Sequence, residues 1–262
     1  LLVAWREWGG LQPGSERPPV WYAAVLALAL VLHGMLLLNG MFESGDLRFG
    51  FAHALSATLW MTALIVCVET MFSPSRGMFL LVLPLAAVAT ILPALFPGAI
   101  VGSSSGAPLF QVHLLLAILA YSLLTIAAIQ ALLMATMERR LHGEAAAGSG
   151  RLAFVIDRLP PLLAMEGVLF RLITVGFVLL TATLVSGIFF SEQLFGRPLP
   201  FDHKTVFAIA AWIVFGGLLL GRQVFGWRGR TALRWTITGF VMLVLAYVGS
   251  HFVLEVLLKR GR

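Results

Sequence analysis

FDHKTVFAIAAW, residues Phe201–Trp212, is the stretch that decides the fold. Asp202, His203 and Lys204 stand near its start, and the residues that follow Thr205 are all apolar. Charged or titratable side chains at the mouth of an apolar helix are costly in a bilayer unless they serve a purpose. The stretch therefore predicts a transmembrane helix that begins at a polar site.

The rest of the chain has the composition of a membrane protein. Of its 262 residues, 60% are hydrophobic and 11% are charged, and the mean hydropathy is +0.95. Several apolar runs reach the roughly 20 residues that a helix needs to cross a hydrocarbon core. Because backbone groups in lipid must satisfy their own hydrogen bonds, these runs favour helices. We predict an all-α polytopic membrane protein, with one transmembrane domain over residues 1–262 in contact with the lipid bilayer.

Seven complete spans can be placed along the chain. They are Val20–Leu38, Phe51–Phe72, Met78–Phe96, Leu109–Met137, Leu169–Phe190, Thr205–Leu220 and Trp235–Leu258. Leu1–Trp5 reads as the stub of a preceding helix, so we expect a bundle of about eight transmembrane helices and a truncated N-terminus. Pro84 and Pro93 are predicted to kink the third span. Arg151–Met165 mixes apolar and charged residues, which predicts a short interfacial helix.

Charge and cysteine content exclude several classes of function. The net charge is +6, but the basic residues lie in short connections between spans, where an orienting role explains them without nucleic acid. Cys67 is the only cysteine, which excludes disulfides within this chain and thiolate metal clusters. No phosphate-binding glycine loop or HExxH metalloprotease motif is present. Nothing nominates a nucleophile, and we expect no enzymatic activity.

The distribution of basic residues predicts the orientation. If the loop Glu138–Arg158 is cytoplasmic, that side holds twelve Lys and Arg residues and the other side holds six. His142 is then cytoplasmic, and the other five histidines share the outer half of the bundle. Those five are His33, His53, His113, His203 and His251. Imidazole is a common transition-metal ligand and the usual axial ligand of haem.

Each of these histidines also has a structural interpretation. His53 is equally consistent with an interfacial residue bonded to a neighbouring loop, and His113 with a helix-start residue. Asp202 either holds the tautomer of His203 or caps the helix. The two deeper histidines either join a site or bond each other or a backbone carbonyl, because an unpaired buried imidazole is costly.

Four segments resemble a known family. HLLLAILAYS at His113–Ser122 resembles the helix of the CcsA-type cytochrome c assembly proteins that starts with an outer histidine. DHKTVFAIAAW at Asp202–Trp212 resembles the end of their tryptophan-rich segment, and Trp227–Arg230 and Tyr247–Phe252 also fit. The resemblance runs from Val20 to Leu258 and is nearest to the YpjD-type and HemX-type inner membrane proteins.

The resemblance implies a bundle of about eight spans that binds haem near its outer face through axial histidines. His113 matches the first of the family's outer histidines. The sequence also departs from the pattern, since Phe195–Phe201 contains no tryptophan and His203 replaces a proline. Leu220 stands where the family has an inner membrane histidine, and His251 stands where asparagine is usual.

The leading prediction is a haem-binding or haem-handling protein of the bacterial inner membrane, related to cytochrome c assembly. His113 and His203 are the predicted iron ligands, and the other predicted site residues are His53, His251, Asp202 and Lys204. Its partners would be haem and another membrane or cytochrome maturation protein. One alternative is a haem-free membrane scaffold or regulator, similar to HemX-type members, which are linked to control of haem synthesis enzymes. A small transporter is disfavoured because few ionisable groups lie at mid-membrane.

Overall fold

The computed structural model describes residues 20–42, 47–72, 78–101, 108–141, 161–195 and 203–246. The helices are α1 (Val20–Met41), α2 (Phe51–Phe72), α3 (Phe79–Ala89), α4 (Leu92–Leu95), α5 (Pro108–Leu141), α6 (Leu162–Phe195), α7 (His203–Phe225) and α8 (Gly229–Val244). Two short strands, β1 (Leu47–Phe49) and β2 (Ala99–Val101), pair in antiparallel fashion with Arg48 opposite Ile100. The all-α polytopic prediction is confirmed.

Five helices in the described part of the chain are long and apolar enough to cross a membrane, namely α1, α2, α5, α6 and α7. A shorter apolar stretch, Leu81–Leu95, covers most of α3 and α4. The N-terminal stub and the end of the seventh predicted span lie outside the described residues. The count of about eight spans and the single domain over the whole chain therefore stay predictions.

The third predicted span is divided into α3 and α4 at Thr90 and Ile91, and both of these residues keep right-handed helical dihedral angles. Pro93 lies in the first turn of α4 and has no N–H with which to bond the carbonyl of Ala89, so the helical ladder cannot continue through it. The chain turns at Thr90 and Ile91, and the Thr90 hydroxyl donates to the carbonyl oxygen of Ala86 at 3.0 Å. Pro84 stays within α3.

Three helices extend beyond the apolar runs from which they were predicted. α6 begins at Leu162, so the last four residues of the predicted interfacial helix Arg151–Met165 belong to a long helix; residues 151–160 lie outside the described residues. α7 continues to Phe225, and α8 begins at Gly229 rather than at Trp235. An α-helix satisfies its own backbone, so it can continue past the hydrocarbon core where polar side chains meet water.

Helix α5 lies at the centre of the bundle and packs against α2, α6 and α8. Its middle is fully buried, with Leu124 and Ile126 at 0% exposure. A Cβ added to Gly176 of α6 would lie 2.8 Å from a methyl carbon of Leu124, so glycine allows the two helices to approach closely. α7 packs against α8 and α6, and α1 packs against α2.

The two ends of the bundle differ in charge. We call the end that carries the β1–β2 pair the outer end, and the opposite end the inner end. Of the nine Lys and Arg residues that the structure describes, Arg48 and Lys204 lie at the outer end. The other seven lie in the inner half, namely Arg139, Arg140, Arg171, Arg222, Arg228, Arg230 and Arg234. This asymmetry supports a cytoplasmic inner end.

Candidate functional site: histidines of the outer half

His113 lies in the second turn of α5, where the start of α5 meets the last third of the antiparallel α6. Its imidazole is partly buried, and Nδ1 lies 2.9 Å from the hydroxyl oxygen of Ser186. Gly187 makes room for the ring, because a Cβ added there would lie 3.3 Å from the imidazole Cε1. The imidazole is therefore held between two helices in a defined position.

The neighbours of Ser186 determine which tautomer His113 adopts. The Ser186 hydroxyl donates to the carbonyl oxygen of Thr183 at 3.0 Å, and His113 also lies within bonding reach of that carbonyl. A hydroxyl has one hydrogen, so the Ser186 oxygen is left to accept from Nδ1–H of the imidazole. In neutral His113, Nε2 is then the nitrogen that carries the lone pair.

His33 makes a similar contact one helix pair away. Its Nε2 lies 2.9 Å from the hydroxyl oxygen of Ser56 on α2, and both residues are buried. From the sequence, His33 was expected either to join a ligand site or to bond another histidine or a backbone carbonyl, and the observed partner is a serine. This bond ties the middle of α1 to α2.

His53, in the first turn of α2, is covered by its surroundings and only 1% exposed. Its Nε2 lies 3.6 Å from the position that a Cβ on Gly40 would take, and its ring centroid lies 6.4 Å from that of Phe49 on β1. A ligand would reach this imidazole only after α1 or β1 had moved.

His203 is the first residue of α7 and is exposed, while Lys204 is partly buried. Asp202 and His251 lie outside the described residues. Deeper along α7, the Trp212 indole N–H donates to the Thr181 hydroxyl at 2.9 Å, which fixes α7 against α6. The helix that holds His113 in place is thus also the helix against which α7 packs.

The donor set suits a haem better than a bare metal ion. In the described residues, no group of three or more His, Cys, Asp or Glu side chains could hold a metal. A haem iron already has four porphyrin nitrogens and needs only axial ligands, for which one oriented imidazole is a starting point. A hydrogen bond to the remaining ring nitrogen is the usual means of orienting such a ligand. His113 has that arrangement.

Ser56 and Ser186 are the site features that the sequence reading missed. Ser186 and Gly187 are two small residues in an apolar run, a pattern that indicates only a close helix contact. Ser186 is 73 positions from His113, and Ser56 is 23 positions from His33, so only the helix pairing brings them together. The available signal was a buried serine and a histidine at matching depth on neighbouring antiparallel helices.

Comparisons with known proteins agree with the fold. The sequence profile of the family described as Cytochrome C assembly protein matches residues 21–258. Inner membrane protein YpjD of Escherichia coli K12 is 32% identical over 234 residues, which cover 88% of this chain and 85% of that protein. Cytochrome c biogenesis protein CcsA of Prochlorococcus marinus MIT 9303 is 34% identical over 87 residues, which cover 33% of this chain and 27% of that protein. No solved structure matches significantly.

Proposed function

Because this chain belongs to the cytochrome c assembly protein family, we propose that it binds haem at the outer end of its bundle and takes part in cytochrome c biogenesis. The observation that supports this most directly is the oriented imidazole of His113. Its Nδ1 is engaged by Ser186, which leaves the lone pair on Nε2, the atom that would bind iron.

Several residues of the outer half would contribute to haem binding in different ways. When bound, haem would supply an iron that imidazole nitrogens can bind. His113 would be one ligand, and Ser186 would keep its ring in place. His203, exposed at the start of α7, is the proposed second ligand, with His53 and His251 as alternatives. Lys204 could pair with a haem propionate, since an ammonium and a carboxylate form a charge-assisted hydrogen bond.

The setting follows from the same family relationship. We place the protein in the bacterial inner membrane, as the name of the E. coli relative suggests, with its inner end toward the cytoplasm. The name of the CcsA relative points to cytochrome c biogenesis, so the proposed partner is another membrane or cytochrome maturation protein. We propose a binding and handling role rather than an enzymatic one, because the sequence contains no motif that would supply a nucleophile.

Absorption spectroscopy of the purified full-length protein tests the proposal. We expect a Soret band that is abolished or strongly shifted in His113→Ala and altered in His203→Ala. His142→Ala is the matched control, because that histidine is predicted to be cytoplasmic and its replacement should leave the spectrum unchanged. An unchanged spectrum in the double variant His113→Ala, His203→Ala contradicts the assignment.

The second candidate is a haem-free scaffold or regulator that acts on a partner protein. The burial of His33 and His53 favours it, because His33 bonds Ser56 and both imidazoles are enclosed by protein. Histidines in this fold can therefore serve packing alone. A full-length protein without a Soret band, whether purified from cells or mixed with haem, would support this second function.

A further inference from the structure

A groove of about 520 Å³ lies between α6 and α7 in the inner half of the bundle, whereas the described histidines lie in the outer half. One face of each helix lines it, with residues spaced by three and four positions. The lining residues are Gly167, Phe170, Arg171, Thr174, Val175, Leu219, Arg222 and Gln223. Val175 is 52% exposed, so the groove opens onto the side of the bundle rather than into its core.

The groove carries positive charge without a carboxylate in its lining. The guanidinium carbon of Arg222 lies 3.6 Å from the centroid of the Phe170 ring, and this stacking fixes the plane of the side chain. Its Nη1 is buried and has no hydrogen-bond partner in the part of the chain that the structure describes. A buried donor of this kind is costly unless something binds it.

Arg171 supplies the second cation. It is exposed, and its Nε donates to the carbonyl oxygen of Gly167 at 3.4 Å, so the side chain lies along the groove. Two carboxylates stand nearby. Glu166 lies 3.8 Å from Arg228, and Glu69 on α2 is within electrostatic reach of Arg171. Of the two groove arginines, Arg222 is the one that has no carboxylate partner among the described residues.

The depth and the walls of the groove indicate the kind of anion. Arg222 is in the last turn of α7, about 4.5 Å from the helix end at 1.5 Å per residue, which is the depth of lipid headgroups. Val175 and Leu219 form its apolar wall, and Val178 and Leu220 continue an exposed apolar surface along the same helices. An apolar wall does not stabilise a soluble anion, whereas an acyl chain can pack against it.

We propose that this groove binds the phosphate of an anionic phospholipid in the leaflet at the inner end. Arginine binds phosphate oxygens through a planar pair of N–H donors, and basic pockets between transmembrane helices are suited to anionic headgroups. The buried Nη1 of Arg222 gains a partner in this arrangement, and the acyl chain lies over Val175 and Leu219. This lipid site does not depend on haem binding, and the two proposals are tested by separate experiments.

Native mass spectrometry of the full-length protein tests this site. The protein is exchanged into detergent containing phosphatidylglycerol or phosphatidylcholine, and the bound lipids are counted. We expect one phosphatidylglycerol to be retained in preference to phosphatidylcholine. Arg222→Gln should weaken retention about fivefold, and Arg171→Gln should do so to a similar or smaller extent. Arg234→Gln is the matched control, because it removes an exposed inner-half arginine outside the groove.

A second variant keeps both charges and fills the space. A Cβ added to Gly167 meets nothing within 4 Å, so Gly167→Phe should fold normally and exclude the lipid. Equal retention of the two lipids, or unchanged retention in Arg222→Gln and Gly167→Phe, overturns the proposal. Displacement of phosphatidylglycerol by millimolar inorganic phosphate also overturns it, because the groove would then be a site for a soluble anion.

Discussion

Replacement of Ser186 by alanine is the most informative single change in the outer half. It removes the hydroxyl oxygen that lies 2.9 Å from the Nδ1 of His113 and leaves the imidazole itself in place. The backbone carbonyl of Thr183 stays within reach of the ring, so one acceptor survives. The variant therefore tests the orientation of the proposed ligand without deleting the ligand.

The expected effect can be bounded from these contacts. Loss of a hydrogen bond to a metal-binding histidine costs about 10–100-fold in affinity for the metal. Because the Thr183 carbonyl remains, we expect haem affinity to fall at the lower end, about tenfold, which corresponds to about 1.4 kcal/mol. The cost to folding should be about 1 kcal/mol, since one hydrogen bond between partly buried groups is lost.

Titration of the apoprotein with haem, followed at the Soret band, measures this affinity, and the thermal unfolding midpoint measures the folding cost. Ser56→Ala is the matched control, because it removes a bond of the same type and the same 2.9 Å length from His33. It should lower the midpoint to a similar extent and leave haem affinity unchanged. Equal losses of haem affinity in the two serine variants, or a change below twofold in Ser186→Ala, would refute the reasoning.

Three further outcomes are expected. Gly187→Leu should displace the His113 ring, whose Cε1 lies 3.3 Å from the added Cβ, and shift the Soret band; an unshifted band would show that the ring position does not matter. Gly221→Ala should lower stability by about 1–3 kcal/mol, measured by thermal unfolding, because the new Cβ would overlap the ring of Trp227; a neutral result would mean that the indole moves freely. Ser149→Cys, in a background without the natural cysteine, should be labelled by an impermeant maleimide only from the cytoplasmic side; labelling from outside would reverse the orientation.

Hydropathy predicted the spans, but it predicted only some of their ends. Phe51–Phe72 was predicted to the residue, because polar or turn-forming residues flank a long apolar run on both sides. α6 begins seven residues before its predicted start at Leu169. The apolar run is interrupted at Glu166, but the backbone hydrogen bonds of the helix continue through this residue. Hydrophobicity reports where lipid lies, whereas helix ends depend on backbone hydrogen bonds.

Pairings across the chain were beyond a single sequence. β1 and β2 are three residues each and were not predicted, because strands this short have no detectable alternation. The histidines that the structure describes could be assigned to the outer half from span order and the distribution of basic residues. Their partners could not be identified, because which face of α5 meets α6 depends on packing, and apart from Gln111 the residues next to His113 in the sequence are apolar.

The ion pair between Arg230 and Glu138, at 3.0 Å, has a consequence for the order in which the protein is made. Its partners are 92 positions apart, and α8 is the last described helix to leave the ribosome. Until α8 is inserted, the face of α5 that it covers is exposed to lipid, and Glu138 lacks this partner at the membrane surface. The packing around α5, the central helix, is therefore completed last. In a nascent chain that stalls before Gly229, one side of α5 is exposed to lipid or to a chaperone.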